Sequence, residues 1–416
     1  MKRRFLLPIA CLLLLLLPPA ARGDGGDCTA APALSFDENG YFTVLVLSDA
    51  QDTQWTVPYL PLGIAAALDA HTPDLVVLLG DQLEGGSPLM RVGDRQKHVE
   101  RAIANLLAPI VERALPFAVV FGNHDAESGV SNERQLAIYQ RYPGCVSVDV
   151  DESGAYRVPV TGADGTEKLS LYLFDSGAYT EDGGYGCVSR AQVEWYLAQS
   201  SALRATNNGA RIPAVAFQHI VVGEIYDALT EVGADAPGAF AGVGSGQGAF
   251  YSPDAASLVM GALREAPCPS AENNGQFEAF LAQGEVFACF FGHDHINDYI
   301  ISHRGVDLVA CPGATYTSYN ERSVRGVRML RFSEDNVRSY DTLLVPFASY
   351  ENVSFLGVVP YYLMTTTRVP NAAKLLVLLV LLLAAAVLLT VLLLKKRGQV
   401  PAGDGAIPHG PPEFDD

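Results

Sequence analysis

The chain has 416 residues, 28 Lys+Arg against 46 Asp+Glu, 49% hydrophobic and 18% charged residues, and a formal net charge of −18. That balance excludes an intrinsically disordered chain, and it excludes nucleic-acid binding through bulk charge because a polyanion is repelled. The ends hide a stronger asymmetry: Met1 to Gly23 carries four basic and no acidic residues and everything after Asn371 carries four of each, so the 348 residues between hold 20 basic and 42 acidic ones, a net of −22.

At the N-terminus Lys2, Arg3 and Arg4 precede an apolar run of 13 residues, Phe5 to Leu17. A helix needs about 20 residues to cross a hydrocarbon core, so this run is too short to span one. Pro18 and Pro19 end it, and Ala21-Arg22-Gly23 puts small residues at the −3 and −1 positions of a cleavage site. Residues 1–23 therefore read as a cleaved secretory signal. Six cysteines remain beyond it, Cys28, Cys145, Cys187, Cys268, Cys289 and Cys311. An oxidising compartment permits disulfides, but Cys289 and Cys311 sit in apolar runs that suit buried thiols equally well, so no pairing follows.

Residues 24–350 read as the main domain, with its core over 43–332. Short apolar runs predict strands over Thr43–Ser48, Leu75–Leu79, Phe117–Phe121, Leu169–Phe174, Ala214–Gln218, Val286–Phe291, Asp307–Cys311 and Val327–Phe332. Most are apolar throughout, which suits strands covered on both faces. Helical periodicity falls at Leu60–Ala70, Gln96–Arg113, Asn132–Tyr142, Arg190–Ser201 and Phe277–Gln283. Strands alternating with helices give an α/β (α+β layered) class, in which ligands collect at the carboxyl ends of strands. Gly223 to Gly275 reads as a mobile surface loop, since Gly238 to Gly248 contains five glycines and does not fit a GxGxxG phosphate loop.

Residues 351–372 read as a juxtamembrane linker. Leu375 to Leu394 is a 20-residue run, apolar apart from Thr390 and followed by Lys395-Lys396-Arg397. That pattern predicts a membrane helix over 373–394 with its positive flank inside and residues 395–416 as a cytoplasmic tail. With the signal in front, the expectation is a single-pass cell-membrane protein whose domain is extracytoplasmic.

The polar clusters carry the chemistry. Ser48-Asp49-Ala50-Gln51, Gly80-Asp81-Gln82, Gly122-Asn123-His124-Asp125, Gln218-His219 and Gly292-His293-Asp294-His295 each follow a predicted strand. Singly, an Asp after a strand is an ordinary helix cap and Asn-His-Asp an ordinary turn. Five at corresponding strand ends point to one site, and mixed carboxylate, amide and imidazole donors suit Mn, Fe or Zn better than calcium.

These residues, in this order, resemble the calcineurin-like metallophosphoesterases, over Thr43 to Phe332. The segments Phe117-Ala-Val-Val-Phe-Gly-Asn-His-Asp, Leu171-Tyr-Leu-Phe-Asp-Ser-Gly and Gly292-His-Asp-His-Ile-Asn-Asp are similar to the branch of small plant purple-acid-phosphatase-like proteins and a fungal cell-cycle phosphatase. The resemblance implies a four-layer β-sandwich flanked by helices and two divalent or trivalent metal ions. It implies that Asp81 bridges them, that Asp49 and His295 hold the first, and that Asn123, His219 and His293 hold the second. It further implies phosphate-ester hydrolysis by a metal-bridging hydroxide, with His124 as the acid and Asp125 orienting it. One position departs from the pattern: Gln51 stands where the family has His, with Glu84 and Asp52 as further candidates to complete the first sphere. Phosphomonoesters are the favoured substrates, with phosphodiesters of nucleotides or lipids open. The alternative is a catalytically weak surface-binding protein that has lost its first metal site, against which the presence of His124 speaks.

Overall fold

The computed structural model describes residues 31–351 and 371–397. The signal segment, Cys28, residues 352–370 of the linker and the tail beyond Arg397 lie outside the described residues. The first strands are β1 (Leu34–Ser35), β2 (Tyr41–Leu47), β3 (Leu75–Leu79) and β4 (Phe117–Val120), joined by helices α1 (Tyr59–His71) and α2 (Arg95–Val111). Helix α3 (Asn132–Tyr139) leads to β5 (Ala155–Thr161) and β6 (Glu167–Phe174), and α4 (Arg190–Thr206) to β7 (Ala214–Phe217). Then come β8 (Leu229–Val232), β9 (Phe240–Ala241), β10 (Phe250–Pro253) and β11 (Leu258–Met260), followed by α5 (Gln276–Gln283) and β12 (Val286–Phe291). The domain closes with β13 (Ile300–His303), β14 (Val306–Ala310), β15 (Gly326–Ser333) and β16 (Asp341–Pro346).

A five-stranded sheet runs β16-β15-β2-β3-β4 and an eight-stranded one β1-β5-β6-β7-β12-β14-β13-β11. Strands β2, β3 and β4 are parallel, as are β6, β7, β12 and β14, so their carboxyl ends fall together. The alternation of side chains explains the continuous apolar runs. Val44, Val46, Leu75, Val77 and Leu79 meet Leu171, Leu173, Val215, Phe217 and Phe290 of the other sheet. The intervening Leu45, Leu47, Val76 and Leu78 meet Ile64, Leu68, Ile103 and Leu107 of α1 and α2. On the far side Tyr172 and Phe174 meet Val193, Tyr196, Phe277 and Phe280 of α4 and α5. The layers are thus helix, sheet, sheet, helix, a mixed α/β sandwich. Each fully buried Val, Leu or Phe contributes roughly 1.5–3 kcal/mol, so strands buried on two faces hold their ends firmly.

Gly223 to Gly275 is more ordered than its composition suggests. It forms a 3-10 turn, Gly223–Ala228, the separate sheet β8-β10-β9, and β11 at the edge of the larger sheet. The organiser is Tyr226, a buried side chain whose hydroxyl donates to the Pro267 carbonyl at 2.7 Å and accepts from the Val243 N–H at 2.8 Å. Gly246 lies against that ring, where a Cβ would come within 2.7 Å, so the glycines serve close approach rather than looseness. Helix α6 runs Asn371–Arg397. Among the described residues no helix meets the length and apolarity needed to cross a membrane, although Leu376 and much of Leu379–Leu392 are exposed apolar side chains.

Candidate functional site

Each cluster begins where a buried strand stops. The first leaves β2 at Ser48, the second β3 at Gly80, the third β4 two residues past Val120, the fourth β7 at Gln218 and the fifth β12 at Gly292. The loops are stitched by backbone bonds: Asp49 N–H to Gly80 O at 3.1 Å, Gln51 N–H to Asp81 O at 2.9 Å, Gly292 N–H to His219 O at 3.0 Å and Gly313 N–H to His295 O at 3.0 Å. Asp49, Gln51, Asp81 and His293 adopt left-handed backbone, with φ of 48°, 40°, 52° and 72°. Non-glycine residues there cost on the order of 1 kcal/mol each, a strain that concentrates at functional sites.

The side chains converge. Asp81, His219 and His293 offer one ligand atom each within 4.8 Å of one another, all buried. His219 Nε2 lies 3.2 Å from Asp81 Oδ2 and 3.8 Å from Asp49 Oδ1, and His295 Nε2 lies 3.4 Å from the same Asp49 oxygen. The other ring nitrogens are committed to backbone carbonyls, His219 Nδ1 to Leu79 O at 2.9 Å and His295 Nδ1 to Tyr319 O at 2.7 Å. Both rings therefore donate from Nδ1, which turns Nε2 of each into the site. Asp49 Oδ2 accepts from Ser48 Oγ at 2.5 Å and from the His293 N–H at 3.1 Å, leaving Oδ1 for the centre.

Electrostatics follow from this packing. Burial lowers the His219 imidazole's affinity for a proton, but Asp81 and Asp49 outweigh it and lift its pKa to about 10. Burial also raises the Asp49 and Asp81 carboxyls, yet His219, joined by His295 on Asp49, holds both below the usual carboxylate range. His293, buried beside His219, is depressed to about 3 and stays neutral.

Four buried polar atoms here have no hydrogen-bond partner: Asp49 Oδ1, Gln51 Oε1, Asn123 Oδ1 and His219 Nε2. Orphaned acceptors cost roughly 1–3 kcal/mol each when nothing compensates them. Oxygens and an imidazole nitrogen gathered beside Asp81 form a donor set of the kind that first-row metal ions take, so the residues fit a metal site. Gln51 takes part through its amide: Nε2 donates to Asp81 Oδ2 at 3.4 Å while Oε1 stays free.

Two expectations change. Asp125 does not meet the His124 ring; its Oδ2 accepts from the Asp81 and Gly122 N–H groups, each at 2.9 Å, and its Oδ1 from the Leu83 N–H at 3.0 Å. It clamps the backbone under the site because a buried carboxylate takes the unpaired N–H groups that the turns expose. The carboxylate on His124 is Glu127, with Oε2 at 2.9 Å from Nδ1. An acid three residues on at the next turn is a spacing that could have revealed it. Asp52, a further candidate for the first sphere, gives Oδ1 to the Thr53 N–H at 2.8 Å instead. Glu84 is half-buried and its carboxyl is raised by burial, with His124, Asp81, Glu127 and His295 all near enough to act on it. Three tyrosines from distant segments complete the wall: Tyr319 stacks on His295 with centroids 4.1 Å apart, Tyr185 meets His293 edge-on at 4.3 Å, and the Tyr179 hydroxyl accepts from Asn123 Nδ2 at 2.7 Å. No local motif marks them.

Comparison with known proteins places the sequence among phosphoesterase-like chains. Residues 42–226 match the family described as calcineurin-like phosphoesterase. The chain is 26% identical over 330 residues to probable inactive purple acid phosphatase 14 of Arabidopsis thaliana, covering 69% of this chain and 74% of that one. It is 23% identical over 254 residues to phosphatase DCR2 of Saccharomyces cerevisiae, covering 57% of this chain and 38% of that one. Among solved structures, a dimetal phosphatase from Danio rerio aligns over 74% of this chain and 99% of its own at 15% identity, with a TM-score of 0.45.

Proposed function

We propose, from the premise that this chain carries a calcineurin-like metallophosphoesterase domain, that it hydrolyses phosphate esters, phosphomonoesters first, at the carboxyl ends of β2, β3, β4, β7 and β12. The observation that carries the reading is the set of buried, unpartnered atoms Asp49 Oδ1, Gln51 Oε1, Asn123 Oδ1 and His219 Nε2 around Asp81. Asp81 would be shared by two ions, with Asp49, His295 and the Gln51 amide toward one and Asn123, His219 and His293 toward the other. When bound, the ions supply Lewis acidity and neutralise phosphate charge.

The chain's own residues do the rest. Leu79 O and Tyr319 O hold the His219 and His295 tautomers, and Ser48 Oγ fixes the Asp49 carboxylate. His124 stands at the mouth, with Nε2 4.0 Å from Asp81 Oδ2 and Nδ1 donating to Glu127. Burial works against its cation, but Asp81 and Glu127 outweigh it and raise the imidazole pKa above its usual value. That shift favours the protonated ring, the form in which Nε2 carries a proton to deliver to a leaving alkoxide. A neighbouring carboxylate that fixes ring orientation is the ordinary device for such an acid.

The same chain is proposed to be anchored in a membrane through residues 373–394 with the domain extracytoplasmic. Supporting this are the uncharged run Leu375 to Leu394, the basic Lys395-Lys396-Arg397 after it, and the signal-like residues 1–23. A second reading, a non-hydrolysing binder, draws on Gln51 and on the word inactive in the name of the Arabidopsis relative.

One experiment separates these readings. Membranes from cells expressing the full chain are extracted with alkaline carbonate, and p-nitrophenyl phosphate turnover is measured with Mn, Zn or Fe. The expected result is activity that stays in the pellet and falls about 10²-fold or more in His124→Ala. Absence of turnover with every metal would favour the binder, and activity in the supernatant would sink the anchor.

A further inference from the structure

Resting on the phosphoesterase reading, we propose that Tyr179 is a positioning residue that ties the metal-binding amide of Asn123 to the proton-donating pair His124–Glu127, so that the two are set together. Its hydroxyl is 2.7 Å from Asn123 Nδ2 and 3.2 Å from Glu127 Oε1. An amide NH2 can only donate and an ionised carboxylate can only accept, so the hydroxyl must accept from the first and donate to the second. The direction of both bonds is therefore forced.

Two consequences follow at the two ends. The Asn123 amide is held with its NH2 toward Tyr179, which turns Oδ1 inward, where it is buried and without a partner. An amide flipped the other way would present NH2 to a cation. At the other end Tyr179 holds one Glu127 oxygen while the second, Oε2, receives His124 Nδ1–H at 2.9 Å. Glu127 is thereby gripped from both sides, and the His124 ring keeps Nε2 toward the site. The anchor for this hydroxyl is local: Tyr179 pairs with Tyr185 as an isolated β-bridge, and the Tyr185 ring rests edge-on against His293 at 4.3 Å. Tyr179 itself is 44% exposed, so core packing does not account for its placement.

Tyr179→Phe in the full chain, solubilised in detergent, tests the coupling because it removes the hydroxyl and keeps the ring. Manganese binding by titration calorimetry reads the Asn123 end without turnover. The ratio of kcat/KM on p-nitrophenyl phosphate to that on glycerol 2-phosphate reads the His124 end, since a nitrophenolate leaves with little need of a proton and an alkoxide does not. The expected result is at least tenfold weaker manganese affinity together with a loss on glycerol phosphate at least tenfold greater than on the nitrophenyl ester. Unchanged manganese affinity, or equal losses on both esters, overturns the coupling; a variant lacking the wild-type circular dichroism is replaced by Tyr179→Leu and judged by the same two readouts. If wild type binds manganese but turns over neither ester, the phosphoesterase reading fails, and the manganese arm alone then decides whether Tyr179 positions Asn123.

Discussion

A carboxylate that gains cationic neighbours and one that only loses water shift in opposite directions, and Asp49 and Asp52 show both within four residues. Asp49 is held down by His219 and His295 despite its burial, whereas burial pushes Asp52 up to about 7. Hydrogen bonds from the Thr53 and Val57 N–H groups and from Thr56 offset only part of that rise. Asp52 lies one position beyond Gln51, and sequence spacing cannot tell which of two adjacent residues meets Asp81; in the structure it is Gln51. The sign of the effect is fixed: the folded pKa of Asp52 lies above the unfolded 3.8, so the folded state binds the proton more tightly and stability falls as pH rises from about 4 through about 7. Asp52→Asn keeps an acceptor for the Thr53 N–H and removes the charge. It should stabilise the fold by about 1–3 kcal/mol at pH 8, with the gain shrinking as pH falls toward 4. Urea melts at pH 4.5 and pH 8 measure it, and a gain independent of pH would show that burial of the charge is not the cause.

Strands buried on both faces are legible because their apolar runs are unbroken, and all five polar clusters follow their carboxyl ends. Elements at the edges are not. Strand β5 interrupts its pattern with Arg157 and Pro159, and β16 leaves alternate residues exposed, so neither resembles the central runs. The tyrosine wall was illegible for another reason, since Tyr179 reaches Asn123 across 56 residues of chain. The loops between strand and site also carry a steric requirement that composition does not announce. At Gly122 a Cβ would lie 2.2 Å from Asp81 Oδ1, 2.6 Å from Asp81 N and 2.7 Å from His219 Cδ2. None of these can yield cheaply, because Asp81 N is itself held by Asp125. Gly122→Ala should therefore displace Asp81 and His219, weakening manganese binding by at least about tenfold and costing roughly 1–3 kcal/mol of stability. At Gly233 a Cβ meets nothing within 4 Å, so Gly233→Ala supplies the comparison. Equal manganese affinity in the two variants would show that the β4 loop tolerates crowding and that Gly122 is not needed for close approach.

At the scale of the whole molecule the negative body and the charges of the site are parts of one balance. A segment with a net of −22 concentrates cations near it, and its buried centre, without ions, compensates two carboxylates by keeping a proton on His219. An ion held by His219 would have to displace that proton, because an imidazole ligates only through a free lone pair. Linkage fixes the consequences. The folded pKa of His219, about 10, lies above its unfolded value, so the stability it contributes is fully present below about 6.5 and is lost as pH rises toward 10. A chain stripped with EDTA should accordingly melt at progressively lower temperature between pH 7 and pH 10. Adding manganese at 100 times its dissociation constant should restore about 2.7 kcal/mol of stability. An ion held there would take the place of that proton, so the loaded chain should lose less stability over the same pH range. Addition of the ion at pH 7 should also release protons, on the order of one per chain, detectable with a pH indicator in weakly buffered solution. Manganese that raises the melting temperature without releasing protons would mean that it binds away from His219, among the exposed carboxylates of the acidic surface.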